Sequence, residues 1–207
     1  MKRIAVFWIL LMSLTMTCQT KNSQDKEIVV PEFNKILDSL QVKGSILIYS
    51  FTDKKYYSNN FTWAKTGFIP ASTFKIPNSI IALETGVIKN ESKVFKWNGE
   101  KRWNKKWEQD LTFKDAFRVS CVPCYQEVAR KIGVERMKTY LNKINYKEMI
   151  FDSTNIDNFW LEGESKITQI QQIQFLKRFY FSELPISKRT ESVLKNIMFV
   201  EKSADYT

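Results

Sequence analysis

Ser72 and Lys75 stand three residues apart in Pro70-Ala71-Ser72-Thr73-Phe74-Lys75, in a chain that contains no histidine. That absence excludes a Ser-His-Asp triad, a Cys-His pair and a histidine-ligated zinc. Hydroxyl-based nucleophilic chemistry here needs a lysine or a carboxylate as its base. Residues at i and i+3 share a helix face, so the Lys75 amine is expected to reach the Ser72 hydroxyl. The start of a helix adds unpaired backbone N–H groups and a positive dipole end, which can hold a developing oxyanion.

The spacing S-x-x-K alone is cheap. It recurs at Ser23–Lys26 and Ser192–Lys195. Ser23 falls in a polar stretch near the N-terminus, and Ser192 inside an expected surface helix. Ser72 follows a proline at a helix start and is flanked by apolar Phe74 and Ile76. Thr73 and Phe74, in the same turn, are expected at the pocket. The plainer reading makes Ser72 a helix cap and leaves Lys75 in solvent. A solvated lysine, at about 10.4, is a poor base at neutral pH. Apolar burial lowers a lysine pKa by several units. The neutral amine is then a base, or reacts with carbon dioxide to give an anionic carbamate.

Two further places add polar groups. Ser120, in Phe117-Arg118-Val119-Ser120-Cys121-Val122-Pro123, lies just before a helix, where its hydroxyl can pass a proton. The pattern S-x-V also occurs at Ser92–Val94, and the element boundary beside proline is what favours Ser120. Trp160, in Asp157-Asn158-Phe159-Trp160-Leu161-Glu162-Gly163, could hold an anionic base with its indole N–H. An ordinary core aromatic is the plainer reading of the same residue.

The elements that must place these groups are legible in outline. Residues 31–40 read as a short helix with Phe33, Ile36, Leu37 and Leu40 on one face. Residues 44–51 and 55–58 read as two strands joined at Asp53-Lys54. A tight or 3₁₀-like turn is expected over 72–76, with regular helix only from Pro77, because an internal proline removes a backbone bond. That helix runs to Glu84, with Gly86 in the left-handed stop position. Thr112 caps a helix carrying Asp115 in its first turn. Helices follow over 123–132, stopped by Gly133, and 134–142, then a loop over 146–156. The amphipathic stretch 168–181 repeats Ile170, Ile173, Phe175, Leu176 and Phe179 near helical spacing. Ser187 caps a last helix running to Phe199.

The 207 residues suffice for one domain with a core, and 43% hydrophobic content excludes a disordered chain. The net charge of +10 comes from scattered lysines and arginines rather than a basic stripe. No nucleic-acid partner is expected, and an anionic small molecule fits better. Met1-Lys2-Arg3 followed by the apolar run 4–16 reads as a signal peptide over 1–17. Cys18 follows directly, as at a bacterial lipoprotein cleavage site, although Met16 and Thr17 are not the favoured small residues. Lipidation of Cys18 and plain secretion with its removal both stay open. Residues 18–30 read as a tether, and either route places the protein outside the cytoplasm. Cys121 and Cys124 form a C-x-x-C pair with no second pair to complete a zinc site. They read best as two small buried apolar residues; the exported setting leaves a strained local disulfide open, although adjacent helical turns rarely suit one.

Taken together, these blocks closely resemble the class D, or oxacillinase-type, serine β-lactamases. The resemblance runs from about Pro31 to the last residue. It rests on P-A-S-T-F-K-I-P-N-S-I-I-A-L-E at 70–84, W-E-Q-D at 107–110, S-C-V-P-C-Y-Q-E at 120–127 and D-N-F-W-L-E-G at 157–163. It implies an α+β fold of the β-lactamase/transpeptidase (DD-peptidase-like) type. The helical lobe would be largely present over 31–207 and the central antiparallel sheet incomplete.

The resemblance implies a β-lactam hydrolase. Ser72 would form the acyl-enzyme, and its backbone N–H would be one oxyanion donor. Lys75, N-carboxylated, would be the general base, and Ser120 would shuttle a proton to the lactam nitrogen. Val122 would wall the lysine pocket, Trp160 would hydrogen-bond the carbamate, and Leu161 would shield the pocket. The substrates implied are penicillins, with cephalosporins and carbapenems as further candidates. No metal and no cofactor beyond carbon dioxide or bicarbonate is implied. The protein would be periplasmic, with a membrane contact only through a lipid on Cys18. The alternative is a penicillin-binding sensor or transpeptidase-like module that is acylated without turnover.

Two departures stand out. The family's Y-G-N element appears only as Tyr146-Lys147-Glu148, so only Tyr146 fits and no role is carried over. K-T-G occurs only at Lys65-Thr66-Gly67, ahead of Ser72, so the family's K-[TS]-G strand, which follows the serine motifs, is not found in residues 72–207. That strand supplies a second oxyanion donor, worth on the order of 3 kcal/mol in other hydrolases. The expectation is a chain truncated before it, which as written folds poorly and hydrolyses β-lactams weakly or not at all.

Overall fold

The structure, a computed structural model, describes residues 25–201. The expected signal peptide and Cys18 lie outside the described residues. Among the described residues no helix is long and apolar enough to cross a membrane.

The first described element corrects the expected tether. Lys26–Val29 is a strand, β1, and it pairs in parallel with β3 (Lys55–Ser58). Its partner lies some thirty residues on, so no local pattern reveals the pairing. The β-branched Ile28 and Val29 suit it to a pleated surface. β2 (Leu47–Ser50) pairs antiparallel with β3, placing Ile48 opposite Tyr57. The sheet order is β1-β3-β2, so this small sheet is mixed rather than wholly antiparallel. Between the first two strands, α1 (Phe33–Ser39) forms where expected. It buries none of its residues, however, and Ile36 and Leu40 are exposed.

The helical lobe carries most of the core. A single-turn helix, α2 (Phe61–Ala64), is capped by Asn60, whose side chain accepts from the Trp63 N–H at 2.9 Å. A 3₁₀ turn over Ala71–Phe74 runs directly into α3 (Lys75–Glu84). Regular helix thus begins two residues earlier than the proline suggested. Pro77 is the third residue of α3, where a backbone N–H has no intrahelical partner, so no hydrogen bond is forfeited. Ile80, Ile81, Ala82 and Leu83 of α3 are buried. Each large aliphatic side chain among them contributes roughly 1.5–3 kcal/mol relative to exposure.

A two-residue strand pair, β4 (Val94–Phe95) and β5 (Leu111–Thr112), leads into α4 (Phe113–Arg118). Thr112 caps α4 by accepting from the Asp115 N–H. Two helices follow, α5 (Val122–Ile132) and α6 (Val134–Lys143), with Gly133 at φ +78° between them. α7 (Gln169–Tyr180) opens with a reciprocal capping box between Thr168 and Gln171. Only Phe175 and Phe179 of its expected apolar face are fully buried. α8 (Lys188–Met198) is capped by Ser187. Ser187 also donates its N–H and hydroxyl to Glu84 Oε1, at 3.0 and 2.7 Å, tying α8 to the end of α3. The buried helix α3 therefore packs among α5, α6 and α8, while α4 packs on α8.

Candidate active site

Ser72 lies within the 3₁₀ turn and Lys75 opens α3, so the candidate nucleophile and the amine sit at a composite helix start. The residue before the serine has an unusual backbone. Ala71 takes φ +47°, left-handed for a residue with a Cβ, and its N–H donates to the Trp160 carbonyl at 2.8 Å. That bond fastens the serine turn to the loop carrying Trp160 and Leu161.

Ser120 is also left-handed, at φ +54° in the short link between α4 and α5. Its hydroxyl donates to Ser72 Oγ at 2.9 Å. Three bonds define this link. The Ser120 N–H reaches the Phe117 carbonyl at 3.2 Å, and the Cys121 N–H reaches Ala116 O at 2.9 Å. The Trp107 indole N–H donates to Val119 O at 3.1 Å. Non-glycine residues in this conformation carry strain of order 1–3 kcal/mol and concentrate at functional sites.

The Lys75 amine is half-buried and donates to the Phe117 carbonyl at 2.7 Å. It also lies 4.7 Å from the centre of the Phe117 ring. Burial lowers its pKa below the usual lysine value of 10.5. The expected direct hold of Lys75 on Ser72 is replaced by an arrangement in which Ser120 engages the serine and Phe117 engages the amine. All three meet in one small pocket, lined by Ser72, Lys75, Ser120, Val122, Trp160 and Leu161 with Cys121 and Tyr125. Trp160 is buried, with its ring stacked on Phe74 at 5.4 Å.

Two residues expected at the pocket lie elsewhere. Phe74 is fully buried and packs edge-on against Phe159 at 4.9 Å, so it is core. The helical rotation that turns Ser72 and Lys75 to the cleft turns Phe74 inward. Thr73 donates to the Pro70 carbonyl at 2.6 Å and lines a separate depression beside Leu47, Ile167 and Gln172. Sequence reasoning missed Phe117, whose carbonyl holds the amine, and Tyr125, whose phenol meets Ser79 Oγ at 2.9 Å in the core. Tyr125 lies inside the quoted block at 120–127, whereas a backbone carbonyl leaves no mark in a sequence. Tyr146 is buried and donates to Gln172 Oε1 at 3.0 Å, outside the serine pocket.

Cys121 and Cys124 form a disulfide, which corrects their reading as two apolar residues. Cys121 is the N-cap of α5 and has an extended backbone, at φ −66° and ψ 95°. The pair therefore straddles the helix start rather than two regular turns. Their Cα atoms are 5.4 Å apart, within bridging range. Among the described residues no three acidic, histidine or cysteine side chains converge on a metal site.

A serine, an amine on the same helix start and a second serine across the cleft are gathered on an α+β scaffold of the penicillin-binding transpeptidase class. Residues 40–207 match the family model described as penicillin binding protein transpeptidase domain. The chain is 42% identical over 174 residues to β-lactamase OXA-10 of Pseudomonas aeruginosa, covering 84% of this chain and 65% of that protein. It is 38% identical over 206 residues to OXA-5 of the same organism, covering 100% of this chain and 75% of the relative. A class D β-lactamase from Nostoc superposes with a TM-score of 0.80 at 44% identity, over 86% of this chain and 74% of that one. The chain belongs to the class D β-lactamases. It spans just under two thirds of the length of the OXA-10 relative.

Proposed function

We propose that this protein opens β-lactam rings through an acyl-enzyme on Ser72. Ser72 Oγ attacks the lactam carbonyl carbon, and its proton passes into the Lys75–Ser120 pair. The carbon–nitrogen bond breaks, and Ser120 delivers a proton to the departing nitrogen. Water then releases the acid and restores the serine. The observation that carries this reading is the 2.9 Å contact between Ser120 and Ser72 in a pocket shared with a half-buried amine.

Lys75 acts as the base in its N-carboxylated form. A lowered pKa leaves more neutral amine, and only the neutral amine adds carbon dioxide. Trp160 lines the same pocket, which suits its indole to hold the carbamate oxygens, and Leu161 and Val122 shield it. The substrates are β-lactams, penicillins among them, with cephalosporins and carbapenems as further candidates. The protein is exported to the periplasm, with Cys18 as a lipid anchor. Loss of membrane association in C18S would support that anchor.

Intact-mass analysis after exposure to a penicillin tests the function. One adduct mapping to Ser72 that forms and decays as product accumulates supports hydrolysis. An adduct that persists favours the alternative, a sensor or transpeptidase-like module acylated without turnover. Absence of any adduct on Ser72 overturns both. Turnover that rises with added bicarbonate supports carboxylation of Lys75.

A further inference from the structure

The Cys121–Cys124 bridge takes no part in acyl transfer, yet Cys121 directly follows Ser120 in the chain and Val122 lies inside its ring. The two sulfurs sit between two hollows. Cys121 lines the serine pocket. Both cysteines also line a neighbouring cleft with Phe95, Trp97, Trp107 and Pro123. Both are buried, so only a small reagent entering that cleft can reach them.

We propose that Cys121–Cys124 is a thiol–disulfide exchange site for small-molecule thiols, and that its redox state sets the conformation of Ser120. The two sulfurs are not equivalent. Cys121 is the N-cap of the eleven-residue helix α5, and its Sγ accepts the Cys124 N–H at 3.3 Å. A helix N-terminus stabilises a thiolate, which makes Cys121 the better leaving group. An incoming thiolate attacks Cys124 Sγ, the S–S bond breaks, and Cys121 departs as thiolate. A second small thiol attacks the mixed disulfide and frees Cys124. The pair gains two electrons and two protons, and two small thiols leave as one disulfide.

The consequence reaches the site through the backbone. Ser120 is held left-handed by two backbone hydrogen bonds and by the covalent ring that begins at its neighbour. Opening the ring removes one restraint from a strained residue, and ordinary φ values become accessible. The Ser120–Ser72 contact then loosens. This effect on acylation rests on the function proposed above, whereas the exchange chemistry does not.

The test compares the purified chain oxidised, reduced with dithiothreitol, and as the double variant C121S/C124S. Peptide-mapped alkylation counts the thiols, and hydrogen exchange reads the amides of residues 119–122. Reversible opening by dithiothreitol without unfolding is expected, with faster exchange at Ser120 and Cys121. Penicillin acylation of Ser72 should slow by roughly three- to tenfold, as for loss of one hydrogen bond. The double variant should match the reduced protein and ignore added thiol. Two free thiols under oxidising conditions overturn the proposal. So does a bridge that small thiols cannot open in the folded state, or unchanged exchange at those amides. No acylation in any state counts against the proposed function, and thiol counts and amide exchange still decide the redox site.

Discussion

The Lys75 amine donates to the backbone carbonyl of Phe117, 2.7 Å away and 42 residues along the chain. The base candidate is thereby fastened to the end of α4 rather than to its own helix. The same short segment carries Ser120 three residues later. One link between two helices thus positions the amine and the hydroxyl that meets Ser72. A carbonyl acceptor favours the ammonium form, but burial outweighs it and lowers the pKa.

That balance fixes a pH dependence. Only the deprotonated amine can act as a base or add carbon dioxide to become the carbamate, so Ser72 acylation should rise with pH through the lowered Lys75 pKa. The folded pKa lies below the unfolded value, so between the two the unfolded chain binds more protons. Lys75 therefore makes stability increase with pH across that window. K75M should lose this slope in a denaturant series and slow acylation by about 10²–10⁴-fold, the usual scale of general acid–base catalysis. A K75M protein acylated at the wild-type rate would remove Lys75 from the mechanism.

Ser120 is expected to affect chemistry more than folding. Its side chain is partly exposed and its main recorded partner is Ser72. S120A should slow acylation by roughly 10²-fold or more while shifting stability by less than about 1 kcal/mol. Stopped-flow acylation and thermal melts on one preparation separate the two effects. Comparable losses in both would make Ser120 a structural residue.

How much of this was legible depended on the distance over which each feature is encoded. Helices α3 to α8 were readable because caps and stops are local. Thr112, Gly133, Thr168 and Ser187 each mark an end with their own chemistry. Strand β1 was not readable, because its partner is remote and its four residues look like polar tether. That Ser72, Lys75 and Ser120 come together in one pocket was legible from motif order. The left-handed backbone of Ala71 and Ser120 was not, since neither is glycine or asparagine, the residue types that normally signal it. Phe74 was misplaced because sequence adjacency to Ser72 says nothing of which way a turn points.

The buried pair Ser79–Tyr125 joins α3 to α5 behind the pocket, at 2.9 Å. Removing one partner leaves the other unsatisfied away from water. Y125F and S79A should each cost about 1–3 kcal/mol, with the double variant costing clearly less than their sum. Urea denaturation of the four proteins closes the cycle. Strict additivity would show that the hydroxyls do not interact.

Glu191, in the first turn of α8, bonds Lys195 Nζ at 2.6 Å and accepts the Ser182 hydroxyl. The Lys195 ammonium and that hydroxyl hold its carboxyl down to about 2, against an ordinary 4.5. Its contribution is complete above the unfolded value and disappears as pH falls through the folded one. Acid melts should show E191Q losing less stability than wild type between pH 4.5 and 2. Parallel pH curves for the two proteins would refute this role.

Ala71 offers the sharpest test of strain beside Ser72. Its left-handed backbone costs an alanine roughly 1–2 kcal/mol, which glycine avoids. Glycine loses about 0.5–1 kcal/mol more entropy on folding, so the two terms oppose. The steric term is the larger, and A71G should melt higher, by roughly 1–3 °C. Its N–H bond to Trp160 O needs no side chain and should persist. Ser72 acylation should consequently stay within about threefold of wild type, since one intact backbone bond still orients the turn. A lower melting point for A71G would mean that the methyl group packs usefully and that Ala71 stores no strain.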